Sequence, residues 1–179
     1  QPDAKGVANP HVIKDGQTYR LWYDGYDGTK WRIFHATSAD GINWNKQGLA
    51  LDTGSGGALD ELGVRHPVVI SRNGQYELWY QGQSSSTPNY HIMRATSTNG
   101  TSWTKAGEVT LHPGTPSSYG WFSSITLNGS EEKHVDSIMV LPDNSCQVFF
   151  TQQFTVSRNV TYGSLTTKQH HLYTEVVNP

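Results

Sequence analysis

Fifteen acidic residues and eight histidines are the side chains in this sequence best suited to acid–base chemistry. The carboxylates with a second possible role are Asp24, which closes the run Leu21-Trp22-Tyr23, and Asp136, just ahead of Ser137-Ile138-Met139-Val140. Either could serve as a general acid or base if paired with a second group. The plainer readings are a solvated loop carboxylate for Asp24 and, for Asp136, a strand-entry residue accepting backbone hydrogen bonds. Glu131-Glu132 read as a charged loop from which an acid could also be supplied, Asp60 as a turn cap and Glu61 as water-facing. Cys146 is alone, so no internal disulfide forms, and it reads as a packed strand thiol. His11, His35, His66, His91, His112, His134, His170 and His171 show no familiar metal-ligand spacing, and the adjacent His170-His171 would point to opposite faces of a strand. Neither a metal nor another cofactor is expected.

What must position these residues is a repeat. Asp3, Gly6, Val7, Pro10, Val12, Ile13, Tyr19, Leu21, Trp22 and Tyr23 recur 57 positions later, in the stretch Asp60 to Tyr80. Ile33, Ala36, Thr37, Ser38, Gly41, Trp44, Lys46 and Gly48 recur at an offset of 59, from Ile92 to Gly107. A fainter third copy, Asp136 to Phe150, aligns without gaps on His66 to Tyr80. Asp15-Gly16 and Asn73-Gly74 mark tight hairpins, and Asp40-Gly41 and Asn99-Gly100 mark a second turn at the same place in each unit. No apolar stretch keeps a 3.6-residue period long enough for a substantial helix. Each unit is therefore predicted to be a four-stranded antiparallel meander.

Such units are the blades of a β-propeller, which closes with about 4–8 of them. The predicted fold is all-β, with three blades at about 9–48, 66–107 and 136–177 in a single, partial domain spanning 1–179. Three blades should not close a ring. Remaining propeller blades, or a second copy in a homodimer, are expected to cover the first and last sheets. Recurrence also sorts the tryptophans: Trp22, Trp44, Trp79 and Trp103 recur and belong to the core, whereas Trp31 and Trp121 do not. An aromatic face suits the C–H face of a sugar ring, so these two are the ligand candidates.

Charge and hydropathy exclude other partners. A formal net charge of −2 with no basic run gives no footprint for nucleic acid or an anionic membrane. No apolar run approaches the ~20 residues of a spanning helix, and the first residues lack the pattern of a signal peptide. With any export signal already removed, the expected location is extracellular or periplasmic.

Val-x-x-Pro-x-Val-Ile, then Tyr-x-Leu-Trp-Tyr, then Ala-Thr-Ser-x-Asp/Asn-Gly and a Trp together resemble the five-bladed propellers of the arabinanase, levansucrase and invertase type. The likeness covers Asp3 to Gly107 and, more faintly, Asp136 to about Val177. Ser38-Ala39-Asp40-Gly41-Ile42-Asn43-Trp44 also resembles the Asp-box of sialidase propellers, with Asp40 opening a turn and Trp44 packing between blades. Glycoside hydrolysis generally needs two carboxyl groups, about 5–5.5 Å apart for retention or ~6.5–9.5 Å for inversion. In the propellers that this chain resembles, they project into the channel from the innermost strands, whose heads here are Asn9, His66 and Asp136.

Arg65-His66-Pro67 is similar to the Arg-Asp-Pro of the invertase-like enzymes, with His66 in place of the Asp that stabilises the transition state. Asn9-Pro10 likewise stands where related enzymes carry a catalytic Asp-Pro. Asparagine and neutral histidine can bind a sugar hydroxyl, but neither supplies carboxylate chemistry. The resemblance thus implies a carbohydrate-active propeller that acts on or binds a poly- or oligosaccharide. Asp136 and Asp24 are its catalytic candidates, and Asn9, Arg65, His66, Trp31 and Trp121 its substrate-binding candidates. A non-catalytic, lectin-like module or a structural blade array is the alternative.

Overall fold

The computed structural model describes residues 3–86, 89–111, 124–126, 132–160 and 163–177. Three antiparallel four-stranded sheets account for its regular structure. The first is the meander β1 (Gly6–Asp15), β2 (Thr18–Tyr26), β3 (Trp31–Ser38) and β4 (Asn45–Leu51), and the second is β5 (Gly63–Arg72), β6 (Gln75–Gln83), β7 (Tyr90–Ser97) and β8 (Thr104–Glu108). The third sheet is assembled differently. Its path runs β10 (Lys133–Val140), β11 (Cys146–Val160), β12 (Gly163–Val177), and its fourth strand, β9 (Ser124–Thr126), comes from upstream and pairs with the far end of β11.

Turn chemistry sets the strand boundaries. Asn73 and Gly74 both have positive φ, 53° and 72°, as a two-residue hairpin loop requires. In the first sheet the matching loop is Gly16-Gln17 rather than Asp15-Gly16, because Asp15 pairs with Thr18 as the last residue of β1. At the second turn, Asp40 Oδ1 accepts the backbone N–H groups of Ile42 and Asn43 at 2.8 Å, and Asn99 Oδ1 accepts those of Thr101 and Ser102 at 2.9 Å. These are Asx-turns, so Asp40 has the structural role expected of it.

The sheets pack face to face, with the inner strand β5 in contact with both β1 and β10. Between the first two sheets lie Trp22, Ile33 and Leu51 from one side and Val64, Val69, Leu78, Tyr80, Met93 and Ala95 from the other. Trp103 packs against this cluster and meets Trp22 edge-on at 6.1 Å. Between the second and third sheets lie Ile70, Trp79 and Ile92, facing Val135, Cys146, Val148 and Phe150. The lone thiol is thus a core group. Trp22 Nε1 donates to the Gly100 carbonyl at 3.2 Å, stitching one sheet to a turn of the next.

The repeat also explains Asp3 and Asp60, which do more than cap turns. Asp3 accepts the Tyr23 hydroxyl at 2.9 Å and pairs with Lys46, and buried Asp60 accepts the Tyr80 hydroxyl at 3.0 Å and pairs with Lys105 at 2.6 Å. Gly25 and Gly82 recur because a Cβ at either would lie within 3 Å of a side chain, Phe34 or Met93.

The face that the second sheet presents to the first is duplicated on the first sheet, where no described residue covers it. Val7 and Val12 are 62% and 46% exposed, against 0% and 1% for their counterparts Val64 and Val69. Leu21, Tyr23, Ala36 and Trp44 line an apolar groove there, so Trp44, unlike Trp103, has no neighbouring sheet against it. Val69→Ala should cost about 1–3 kcal/mol of unfolding free energy. Val12→Ala should stay within about 0.5 kcal/mol. Urea denaturation checks both, and equal losses would show that the first face is covered in solution.

His35 lies inside the first interface, stacked on Trp22 at 5.1 Å, with both ring nitrogens buried and unpartnered. Burial, and then the nearby Arg20 charge, lower its pKa from 6.5 to about 4. The unfolded chain takes up a proton near pH 6.5 that the folded chain refuses. The stability contributed by the neutral ring is therefore full above that pH and declines as pH falls towards 4. His35→Phe should raise the urea midpoint at pH 5 more than at pH 7.5. An equal rise at both would contradict the assignment.

Candidate functional site

At the head of each inner strand, two residues stand opposite one on the neighbouring strand, as in a β-bulge. Asn9-Pro10 lie opposite Tyr23, between the pairs Ala8↔Asp24 and His11↔Trp22. His66-Pro67 lie opposite Tyr80, between Arg65↔Gln81 and Val68↔Trp79. In β10 the two are Val135 and Asp136, against Phe150. Counted from the bulge, Val135 therefore stands where Asn9 and His66 stand, and Asp136 takes the place of the prolines. The gapless sequence alignment is one residue out of register at this point. Val135 is buried and Asp136 exposed, whereas Asn9 and His66 share the left-handed backbone, with φ of 48° and 51°.

One buried carboxylate holds the first two bulges. Asp24, at the end of β2, accepts the Asn9 side-chain amide at 2.6 Å and the His66 backbone N–H at 2.9 Å, with Arg65 Nε at 3.4 Å. It is fully buried, which corrects the expectation of a solvated loop carboxylate. Burial raises its pKa to about 6, opposed by the Asn9 amide, the Arg65 charge and the His66 N–H. Its repeat counterpart, buried Gln81, donates to the Lys133 carbonyl at 2.7 Å. The position is a tether from each sheet to the next, made by whatever polar group the next strand requires.

The three strand heads wall one cavity of about 250 Å³, with β1 supplying Asn9, Pro10 and His11, β5 supplying His66, Pro67 and Val68, and β10 supplying His134, Val135 and Asp136. Among the described residues, Asp136 is the one carboxylate in this lining. It accepts the Thr151 hydroxyl at 2.8 Å and lies 3.3 Å from His134 Nε2. The His66 and His134 rings are stacked, 4.2 Å apart and 12° from parallel. Burial, and then the neighbouring His134 and Arg65, lower the His66 pKa to about 3 and keep its ring neutral. Glu132 Oε1 is 3.7 Å from His66 Nε2. His11 Nε2–H donates to the Val69 carbonyl at 2.9 Å, so this ring is turned to the neighbouring sheet.

Asn9, His66 and Asp136 thus share one cavity, with Asp136 reaching it from the position that proline holds in the other two bulges. Arg65 and Trp31 do not line the cavity. The Arg65 guanidinium lies 4.5 Å from the Trp31 ring, which is itself stacked on Tyr26 at 5.1 Å, so neither offers the cavity an open platform. Trp121 and Glu131 lie outside the described residues. His134 and Glu132 were missed as a unit with His66. Linear spacing carried no metal-ligand signature because His66 lies in a distant part of the chain from the other two, although His66, Glu132 and His134 bring donor atoms within 4.8 Å of one another.

Bulged inner strands converging on a shared cavity, in an all-β stack of four-stranded sheets, define blades of a β-propeller. The comparisons with known proteins agree on the fold. A family 117 glycoside hydrolase of the marine bacterium Zobellia galactanivorans superposes with a TM-score of 0.62 at 16% identity, over 94% of this chain and 52% of that one. A thermostable family-43 glycoside hydrolase gives 0.56 at 16% identity, over 93% and 52%. The exo-β-1,3-galactanase of Phanerochaete chrysosporium gives 0.53 at 19% identity, over 90% and 38%. In sequence, two uncharacterised Mycobacterium tuberculosis proteins, from different strains, are each 33% identical over 114 residues. The match takes in 59% of this chain, which spans only 36% of the length of either relative. No protein-family model matches.

Asp24→Ala removes the acceptor that both bulges share and leaves the His66 N–H and the Asn9 amide without it. The expected loss is about 1–3 kcal/mol in urea denaturation at pH 7.5. A loss below about 0.5 kcal/mol would show that the carboxylate is not the tether.

Proposed function

We propose that this chain is a carbohydrate-active propeller segment that receives a sugar unit of a poly- or oligosaccharide in the cavity at its strand heads. The observation that carries this reading is the meeting of Asn9, His66 and Asp136 from three different sheets around one cavity. An amide, a neutral imidazole and a carboxylate together offer the donors and acceptors that recognise neighbouring hydroxyl groups. The type of fold, shared with propeller hydrolases, supports the same ligand class.

Binding without turnover is the form of this function that the side chains support best. Asn9 and His66 stand at positions where hydrolases of this type carry carboxylates, and Asp24 is committed to holding the bulges. A hydrolytic reading has one observation in its favour: Glu132 and Asp136 flank the histidine pair, so a second carboxylate is near the cavity. Further blades are proposed to complete the ring, because the open face of the first sheet repeats one that is buried in the second.

Calorimetry and reducing-sugar release, with arabinans, xylans and fructans, separate these outcomes. Asp136→Asn should weaken binding of the recognised glycan by about tenfold, the worth of one lost hydrogen bond to a charged group. If hydrolysis is detected, the same variant should lower turnover by two or more orders of magnitude. Unchanged binding and turnover in a folded Asp136→Asn protein would exclude the cavity as the sugar site.

A further inference from the structure

We propose that His66, Glu132 and His134 form a site for a single divalent transition-metal ion of the zinc class, at the wall of the cavity. Their donor atoms lie within 4.8 Å of one another, close enough for one ion to gather them once the side chains rotate towards it. The atoms that would bind are those for which the protein provides nothing else. His66 Nε2 and His134 Nδ1 are both buried with no hydrogen-bond partner. Two unpartnered polar nitrogens in one small space are costly. A cation shared by both lone pairs removes that cost.

The surroundings fit a metal better than a proton. His134 directs its other nitrogen, Nε2, at Asp136 Oδ1, 3.3 Å away, which is the outer carboxylate partner that metal-bound imidazoles usually have. A proton on Nε2 would face that carboxylate and leave Nδ1 free to ligate. Burial keeps the His66 ring neutral at pH 7, so its lone pair is available without the loss of a proton. Glu132 Oε1, 3.7 Å from His66 Nε2, supplies the negative charge that a divalent ion needs. The two rings are nearly parallel, so metal entry must tilt them out of their stack until the lone pairs converge.

Ligand chemistry sets the class of ion. Two imidazole nitrogens and one carboxylate are a borderline-soft set that suits Zn²⁺, Co²⁺ or Ni²⁺. Ca²⁺ and Mg²⁺ prefer all-oxygen sites. Three protein ligands leave a fourth position for water or a ligand hydroxyl from the cavity. The inference stands apart from the carbohydrate reading, because metal affinity can be measured with no sugar present.

The test uses chelator-treated protein titrated with ZnCl₂ in a calorimeter, together with the visible absorption of the Co²⁺-loaded protein. One equivalent of Zn²⁺ should bind with a Kd of about 1 μM or tighter, and Co²⁺ should give the intense bands of a four-coordinate ion. Glu132→Gln and His134→Gln should each weaken Zn²⁺ binding at least tenfold. His66→Asn should do the same while keeping the fold, since Asn9 already occupies the equivalent bulge position with the same backbone conformation. Circular dichroism confirms folding, and any two folded variants suffice. No binding in the unsubstituted protein, or binding that the folded variants leave unchanged, overturns the proposal.

Discussion

Each of the first two sheets of this protein is apolar on both faces, and burying such a face against a neighbouring sheet is what holds the stack together. Trp22, Ile33 and Leu51 form one face of the first sheet, and Trp79 and Ile92 repeat it in the second. The opposite face carries Leu78, Tyr80, Met93 and Ala95 in the second sheet and their counterparts Leu21, Tyr23, Phe34 and Ala36 in the first. Burial of one type of face against the other is the dominant favourable term in such a stack. It also sets the sheets side by side, so that their inner strands run together and their heads point into common space.

Polar contacts then fix the positions that hydrophobic packing leaves free. Trp22 Nε1 reaches the Gly100 carbonyl, and the Arg20 guanidinium reaches the Asn99 carbonyl at 3.2 Å. Between the second and third sheets, Arg72 bonds the Asn144 carbonyl in the turn from β10 to β11. At the inner end Asp24 and Gln81 do the same work with different chemistry, one accepting an N–H and the other donating to a carbonyl. Because Asp24 also binds Asn9, two strand heads from different sheets are positioned by a single side chain.

The bulge matters to function because it turns residues out of the ladder at the point where three strands converge. Asn9 and His66 adopt the same left-handed backbone, tolerable for asparagine and histidine, and both reach the cavity wall. The third bulge breaks the pattern. Val135 turns into the core and Asp136 into the opening, beside the His134 ring. The resulting lining, among the described residues, holds three imidazoles, one amide and one carboxylate.

Much of the fold was legible in the sequence because it rests on local, repeated signals. Alternating strands, turn pairs such as Asn73-Gly74 and the recurrence of Trp22 as Trp79 each depend on residues close in the chain. The third unit was less legible: its fourth strand comes from upstream, and its bulge shifts Asp136 by one residue, because the cross-strand partners on β11 decide the register. The burial of Asp24 was invisible because the residues that enclose it, Arg65 and His66, belong to the next sheet. So was the association of His66 with Glu132 and His134, which no spacing along the chain encodes. The sequence by itself determined the blades and the residues at the heads of the first two, Asn9 and His66. Only the tertiary structure decided which heads share a cavity, since one sheet packing on the next brings together side chains that are far apart in the chain.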